Sequence, residues 1–101
     1  MAQPVNQLES KMKELMDVFL DFGVEFENNE NEIRIRRVVN QVVMSPDKFL
    51  EVKQYDKKII YDEFSYYNRI IVNKGNLTHQ IDIPKDIKVE YSRPYLIIKF
   101  K

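Results

Sequence analysis

The chain of 101 residues contains no cysteine and no tryptophan, only two glycines and a single histidine. Without cysteine, neither a disulfide framework nor a thiolate metal site can form. Two glycines are too few for most loops that cradle a phosphate, and the sequence contains no Walker pattern and no nucleophile elbow. A zinc site would have to be built from carboxylates and one histidine, which is an improbable ligand set. We therefore expect no metal and no cofactor.

The chain also lacks an excess of charge of either sign, because 16 lysines and arginines balance 16 aspartates and glutamates. Proteins that bind nucleic acid or acidic membranes usually carry a basic excess. No apolar run approaches the length of a membrane span, and the N-terminal residues contain no signal-peptide core. The sequence therefore predicts a cytoplasmic address and no membrane partner, and it disfavours nucleic acid as a partner.

No group of side chains has the pattern of an active site. His79 lies in an alternating stretch and is interpreted as a surface or edge residue. Asp17 and Asp21 are one helical turn apart, and Asp62 is adjacent to Glu63. Nothing near either pair predicts the burial that would separate their pKa values for acid–base chemistry. We predict that the protein is not an enzyme.

Residues 4–22 are predicted to form an amphipathic helix. Pro4 suits its first turn and Gly23 suits its C-terminal cap. Apolar residues recur at spacings of three and four, which places them on one stripe: Val5, Leu8, Met12, Leu15, Phe19 and Phe22.

Two interpretations of this helix remain open. In the first, the stripe packs on the protein's own domain. In the second, the stripe is a client-binding or self-association surface, because methionine and phenylalanine make an adaptable apolar face. The residues of that surface would be Leu8, Met12, Leu15, Met16, Phe19 and Phe22.

After Gly23 the hydrophobic period changes to two, which is typical of strands. "VEFENNENEIRIRRVV" predicts two strands around an asparagine-rich turn, and "SPDKF" predicts a turn at Pro46 and Asp47. "FLEVKQY" and "KKIIYDEF" predict strands around a turn at Asp56 and Lys57. A short strand at 69–72 and "LTHQIDIP" follow. Seven or eight such strands without long helices between them predict a β-sandwich or barrel over residues 24–101, after a helical segment at 1–23.

The last predicted element is a hairpin in "DIKVEYSRPYLIIKFK". In its first strand Ile87, Val89 and Tyr91 share one face, and in its second strand apolar residues also alternate. Pro94 fits the second position of a turn that runs from Arg93 to Leu96. We therefore predict that this hairpin belongs to the core.

Aromatic residues interleave with basic residues in the middle of the chain, which could indicate a surface that stacks single-stranded nucleic acid. Tyrosine in a strand is more often half-buried packing, so this interpretation is the weaker one. The residues concerned are Tyr55, Tyr61, Phe64, Tyr66 and Tyr67, with Lys57, Lys58 and Arg69.

The order of these stretches resembles the α-crystallin domain of the small heat-shock proteins over residues 24–101. "IKVEYSRPYLIIKFK" is similar to the closing strands of that family, with Val89 in place of an alanine and Pro94 in place of a glycine. Tyr95 stands where the family has valine, and Leu96 matches it. "HQIDIPKDI", "SPDKFLEVKQYDKKIIYDE" and "VEFENNENEIRIRRVV" resemble the earlier strands of the domain.

The resemblance implies a mainly β protein, an antiparallel sandwich of two sheets preceded by one helix. It also implies a stress-response chaperone that holds partly unfolded proteins without ATP, through exposed apolar surface. In that family a loop strand swaps between subunits to make a homodimer. The matching stretch here is 65–76, and its contact residues would be Tyr66, Tyr67, Arg69 and Ile71.

The resemblance further implies a groove between two edge strands, mapped to Phe49–Tyr55 and Ile87–Ser92 and lined by Leu50, Val52, Val89 and Tyr91. Because the sequence given ends with the last strand, we expect no tail to fill a neighbour's groove. We therefore expect a dimer or small oligomer, and a groove open to a segment of another protein.

Three functions remain as hypotheses: a small heat-shock-like holdase for partly unfolded clients, a co-chaperone or adaptor of the related CS-domain type for a specific protein partner, and a small nucleic-acid-binding β protein. The short loop at 65–76 favours the second, the apolar helix and the resemblance favour the first, and the charge balance disfavours the third.

Overall fold

A computed structural model of the chain describes residues 7–38, 42–45 and 49–100. This part of the chain contains one helix and nine strands. The elements are α1 Gln7–Phe22, β1 Glu27–Asn28, β2 Glu32–Arg36, β3 Val42–Ser45, β4 Phe49–Gln54, β5 Lys57–Glu63, β6 Asn68–Lys74, β7 Leu77–Ile83, β8 Lys88–Ser92 and β9 Tyr95–Lys99. The predicted helix start at Pro4 and the predicted turn at Pro46 and Asp47 lie outside the described residues.

The strands form two antiparallel sheets. The first has four strands in the order β1-β2-β9-β8, and the second has five strands in the order β3-β4-β5-β6-β7. Every strand of the second sheet pairs with its neighbour in sequence, so that sheet is a meander. The predicted fold, a mainly β sandwich of two antiparallel sheets preceded by one helix, is confirmed.

Helix α1 ends in a Schellman motif. Gly23 has a φ of 74° and donates its N–H to the carbonyl of Leu20, and Val24 donates to the carbonyl of Phe19. These two bonds satisfy carbonyls that the end of a helix leaves unpaired, and glycine adopts the left-handed conformation without steric cost. Val24 and Phe19 both belong to the buried core, which adds the apolar contact that accompanies this cap. The cap predicted at Gly23 is confirmed.

One apolar core lies between the sheets and under α1. The helix packs against β2 of the first sheet and against β6 and β7 of the second. The buried side chains of the core include Met12, Leu15, Val18, Phe19, Ile33, Ile35, Val52, Ile59, Ile70, Val72, Ile81, Ile83, Ile87, Leu96, Ile98 and Phe100.

The predicted strand limits need three corrections. The stretch around 69–72 is not a short strand, because β6 runs from Asn68 to Lys74 and pairs on both sides. The turn between β4 and β5 consists of Tyr55 and Asp56, one residue earlier than predicted. The last hairpin turns at Arg93 and Pro94, joined by a cis peptide bond. Pro94 therefore occupies the third position of the turn, between Ser92 and Tyr95.

The apolar stripe of α1 is covered by its own domain. Met12, Leu15 and Phe19 are buried, and Leu8, Met16 and Phe22 are partly buried against the same core. The interpretation of these six side chains as an open client-binding or self-association surface is therefore wrong. A helix whose apolar face is buried in this way contributes to folding stability, because that face is removed from water.

Substitution of two adjacent helix residues tests this role. Phe19→Ala should lower the free energy of unfolding by about 3–5 kcal/mol, because Phe19 is fully buried and its removal leaves a cavity. Leu20→Ala is the matched control and should change the stability by less than about 0.5 kcal/mol, because Leu20 is 65% exposed. Urea unfolding followed by circular dichroism measures both values. Equal effects of the two substitutions would contradict the packing of α1 on the sandwich.

Candidate functional site

The residues predicted to line a groove are not brought together at an open surface. Strand β4 lies between β3 and β5, so the prediction that it is an edge strand is wrong. Its Leu50 and Val52 are buried in the core. Strand β8 is an edge strand of the first sheet, and its Val89 and Tyr91 are half-buried against the same core. The inward faces of both strands thus build the sandwich.

The stretch predicted to swap between subunits forms β6, which is paired with β5 and β7 of its own sheet. The exchange of this strand between subunits stays a prediction. Ile71 lies inside β6 opposite Ile60, and Arg69 pairs through its Nε with Asp82 Oδ1 at 2.7 Å. That carboxylate accepts the guanidinium hydrogen bond and raises the pKa of Arg69.

Three aromatic residues cluster in the connection between β5 and β6: Phe64, Tyr66 and Tyr67. The rings of Phe64 and Tyr67 stack with their centroids 4.9 Å apart, and the Arg69 guanidinium lies 5.2 Å from the Phe64 ring centroid. Tyr66 is 91% exposed. This group, called the aromatic cluster below, is the most exposed aromatic surface among the described residues.

The remaining aromatic residues of the predicted nucleic-acid surface lie elsewhere. Tyr61 is buried in the core, and this burial, with a smaller contribution from the Glu63 charge, raises its pKa well above the usual range. Tyr55 is exposed in the turn before β5, at the opposite end of that strand from Phe64. The structure therefore does not assemble the five aromatics into one stacking platform.

A different feature emerges where the chain leaves α1. Residues 24–28, called the edge segment below, run along the outside of β2 and include β1, the edge strand of the first sheet. Phe26 fixes one side of this segment, because its ring lies 5.9 Å from that of Phe19 in the helix. Asn29 then turns the chain back into β2 through its side-chain oxygen, which accepts the N–H groups of Asn31 and Glu32.

The side chain of Gln54 holds the edge segment in place. Gln54 is 1% exposed, and its Oε1 accepts the N–H of Glu25 at 2.6 Å. Its Nε2 donates to the carbonyl of Glu25 at 2.9 Å and to the carbonyl of Arg36 at 3.0 Å. The side-chain amide of Gln54 thus links the backbone of Glu25 to β2 in place of a direct backbone hydrogen bond between them.

These bonds determine which backbone groups face outward. Successive residues of an extended chain point their N–H and C=O groups to opposite sides. The backbone N–H and C=O of Glu25 point towards Gln54, and Asn29 donates its N–H to the carbonyl of Glu32 in β2. The backbone groups of Phe26 and Asn28 therefore point away from β2, at the free edge of the sheet. Such groups are a template for pairing with another extended chain.

Two concavities flank the edge segment, one on each side. The arginine concavity has a volume of about 230 Å³ and is lined by Glu25, Phe26, Glu27, Arg34, Arg36 and Tyr95. The leucine concavity is more open, has a volume of about 550 Å³ and is lined by Leu20, Gly23, Val24, Glu25, Phe26 and Asn28. Leu20, which is 65% exposed, supplies its apolar wall from the helix. Side chains of a strand alternate between two faces, so a strand added here would direct neighbouring residues into different concavities.

On the solvent face of the first sheet, two acidic side chains of the edge segment face two arginines of β2. Glu27 is paired in register with Arg34, and continuation of that register sets Glu25 opposite Arg36. The Arg34 guanidinium lies 4.3 Å from the Tyr95 ring centroid, and its Nε lies 3.6 Å from Glu32 Oε2. On the same face, towards the β8 edge, Glu90 accepts a 2.7 Å hydrogen bond from Lys99 and raises the pKa of that lysine. Within the part of the chain that the structure describes, no ion pair involves Glu25 or Glu27.

Sequence reasoning did not identify Leu20, Gln54 or the edge segment. Leu20 lies off the main helical stripe, and its exposure depends on where the sandwich ends. The sequence did contain a signal for Gln54, because this polar residue follows Leu50 and Val52 at the inward positions of an alternating strand. A polar residue at such a position needs a hydrogen-bond partner, but the partner could not be named from the sequence.

His79 lies apart from this edge, on the second sheet. His79 is exposed on the edge strand β7, with its ring centroid 6.4 Å from that of Phe22, so its interpretation as an edge residue is confirmed. Within residues 7–38, 42–45 and 49–100, no three acidic, histidine or cysteine side chains are grouped as metal ligands would be. No helix in the described ranges has both the length and the apolar character to span a membrane.

Comparison with known proteins gives no significant match to a family model, to a curated protein or to a solved structure. The resemblance to the small heat-shock proteins thus stays a prediction from the sequence.

The role of Gln54 can be tested directly. Gln54→Ala should lower the free energy of unfolding by about 2–4 kcal/mol, because it removes a buried side chain and leaves the bonded backbone groups of Glu25 and Arg36 without their partner. Amide hydrogen exchange at Glu25 should become faster for the same reason. Gln80→Ala, at an exposed glutamine in β7, is the control and should change the stability by less than about 0.5 kcal/mol. Unchanged exchange at Glu25 would show that Gln54 does not hold the edge segment.

Proposed function

We propose that the protein is a non-enzymatic protein-binding adaptor that captures an extended segment of a partner protein as an added strand at β1. One observation carries the proposal: the edge segment presents outward backbone groups between two concavities, while Gln54 holds it against the sheet. Strand addition obtains affinity from backbone hydrogen bonds and specificity from pockets for alternate side chains.

The fixed position of the edge segment supports this proposal energetically. A segment that must become ordered on binding loses conformational entropy at that moment, which weakens the complex. Here the helix cap at Gly23, the Phe26–Phe19 ring contact and the Gln54 hydrogen bonds already order the segment. The backbone groups of Phe26 and Asn28 are therefore presented in the conformation that pairing requires.

The edge strand β8 is less suited to the same role. Lys88 is exposed on it, and lysine on an edge strand is a common means of blocking edge-to-edge pairing. The edge strand β7 carries an exposed leucine, Leu77, which is 64% exposed and therefore a close match to Leu20. Substitution of Leu77 therefore serves as the control for substitution of Leu20 in the binding experiment below.

A random nine-residue peptide library displayed on phage, panned against the immobilised protein, tests the proposal. Enriched peptides should bind Leu20→Glu about tenfold more weakly than the unsubstituted protein, because the charge removes the apolar wall of the leucine concavity. Leu77→Glu should bind within about twofold of the unsubstituted protein. Fluorescence anisotropy with synthetic copies of the peptides measures these affinities.

Amide exchange locates the bound peptide. The N–H groups of Phe26 and Asn28 should become protected, and that of Gln80 in β7 should not. Failure to enrich any peptide above an unrelated control protein would contradict the proposed function. Loss of binding in Leu77→Glu and not in Leu20→Glu would place the site on β7 and would contradict the assignment to β1.

The aromatic cluster favours a second candidate function, the holdase. Phe64 is 39% exposed and Tyr66 is 91% exposed, and exposed apolar surface can compete with the aggregation of unfolded clients. This surface would replace the helix stripe, which is buried.

Light scattering of reduced insulin, with and without the protein and without ATP, tests the holdase. Suppression of aggregation should occur with the unsubstituted protein and should fall at least about twofold in the double variant Phe64→Ser with Tyr66→Ser, because exposed apolar area is lost. Tyr55→Asn is the control, because Tyr55 is 62% exposed at the other end of β5 and asparagine tolerates its positive φ. Absence of suppression at every ratio would exclude the holdase for this client.

A further inference from the structure

We infer that the segment captured at β1 alternates basic and apolar residues, with two basic side chains opposite Glu25 and Glu27 and an apolar side chain between them. This inference rests on the proposed function, because it describes the partner of the same edge. Its occupant is an extended segment of another protein with the pattern basic-apolar-basic.

The nearest charges that an added strand meets are acidic. Neighbouring strands lie about 4.8 Å apart, and directly opposed side chains on one face have Cβ atoms about 5 Å apart. On the solvent face of the edge segment those opposed side chains are Glu25 and Glu27, and both are exposed. Within the described ranges neither takes part in an ion pair, so both carboxylates are available to a cation from the partner.

The arginines of the same concavity lie one strand further from the partner. Arg34 and Arg36 belong to β2, about 10 Å from an added strand, which is twice the spacing of neighbouring strands. Arg34 is also held over Tyr95 and beside Glu32. Glu27 faces Arg34 in register, and the same register continued places Glu25 opposite Arg36, so two acidic side chains of the edge segment lie next to two arginines of β2. Two basic side chains on the added strand would face that acidic pair from its other side.

The residue between the two basic side chains faces the opposite side. There Val24 and Phe26 of the edge segment meet Leu20 of the helix around the leucine concavity. Val24 is buried and Phe26 is half-buried, so the core fixes these two walls of the concavity, and Leu20 is its exposed apolar wall. An apolar side chain placed there removes part of Leu20 from water.

Three synthetic nine-residue peptides, identical except at two positions that flank a central valine, test the inference. Those positions carry lysine, glutamine or glutamate, and anisotropy gives the affinity of each peptide. We expect the lysine peptide to bind about tenfold more tightly than the glutamine peptide, as two cross-strand charge pairs would give, and the glutamate peptide to bind most weakly. This preference should decrease as salt is added, because exposed charges are screened.

A charge reversal assigns the preference to the edge segment. The double variant Glu25→Lys with Glu27→Lys should prefer the glutamate peptide, and Glu25→Gln with Glu27→Gln should show no preference. The control Glu9→Lys with Asp17→Lys makes the same change in net charge at exposed helix positions and should keep the preference for lysine. Circular dichroism checks that each variant is folded.

The outcomes separate the two proposals. Absence of binding by all three peptides and by every enriched library peptide would overturn the proposed function and this inference with it. Equal binding of the three peptides, still weakened by Leu20→Glu, would leave strand addition in place and overturn the basic-apolar-basic pattern. A lysine preference that survives the Glu25 and Glu27 reversal would also overturn it, because the attraction would then come from elsewhere on the protein.

Discussion

Helix α1 packs against the inner faces of β6, β7 and β2, and this contact joins the two sheets around one apolar core. The second sheet has five strands and the first has four, so two flat layers alone would leave part of the wider sheet exposed. The helix supplies Leu15 and Phe19, both fully buried, to the same core as the two sheets. Large apolar side chains at these positions contribute most to burial, because each removes a large area from water.

The end of this helix determines where the candidate site lies. The Schellman motif at Gly23 reverses the chain within two residues and delivers Val24 to the core. The chain then continues directly as the edge segment beside β2. The C-terminal end of the helix therefore lies next to the free edge of the first sheet. Leu20 projects from the last turn of α1 over that edge, and this adjacency creates the leucine concavity.

Gln54 links the site to the interior of the fold. A buried polar side chain is tolerated only when its groups are hydrogen-bonded, and Gln54 satisfies this requirement with three backbone groups of two different chain segments. The same bonds prevent Glu25 from presenting its backbone to solvent and select Phe26 and Asn28 as the outward groups. A binding edge built on such a buried support is more rigid than one on a free loop, which favours recognition through pre-organised backbone groups.

The class of the fold and most of its elements follow from hydrophobic periodicity. A period of 3.6 before Gly23 and a period of 2 after it are sufficient to predict a helix and a series of strands, because burial of one face enforces those periods. The same patterns predicted the inward faces of the last hairpin, and Gly23 itself predicted the helix cap. The limits of the turn between β4 and β5 were predicted one residue too late, because Tyr55 adopts a positive φ that is uncommon for tyrosine.

Which strands are edges and which surfaces stay open depends on contacts between elements that are distant in sequence. Alternation shows that Leu50, Val52 and Ile71 lie on strands, but the order of strands in a sheet depends on contacts between distant parts of the chain. For that reason β4 and β6 are interior strands, and the groove expected along β4 is not at an edge of the sheet. The apolar stripe of α1 was equally ambiguous, because a stripe that packs on its own sandwich and a stripe that binds a client have the same sequence period. The helical period separates Phe19 from Leu20, but only the position of α1 relative to the sheets buried the stripe and set Leu20 beside the edge at β1.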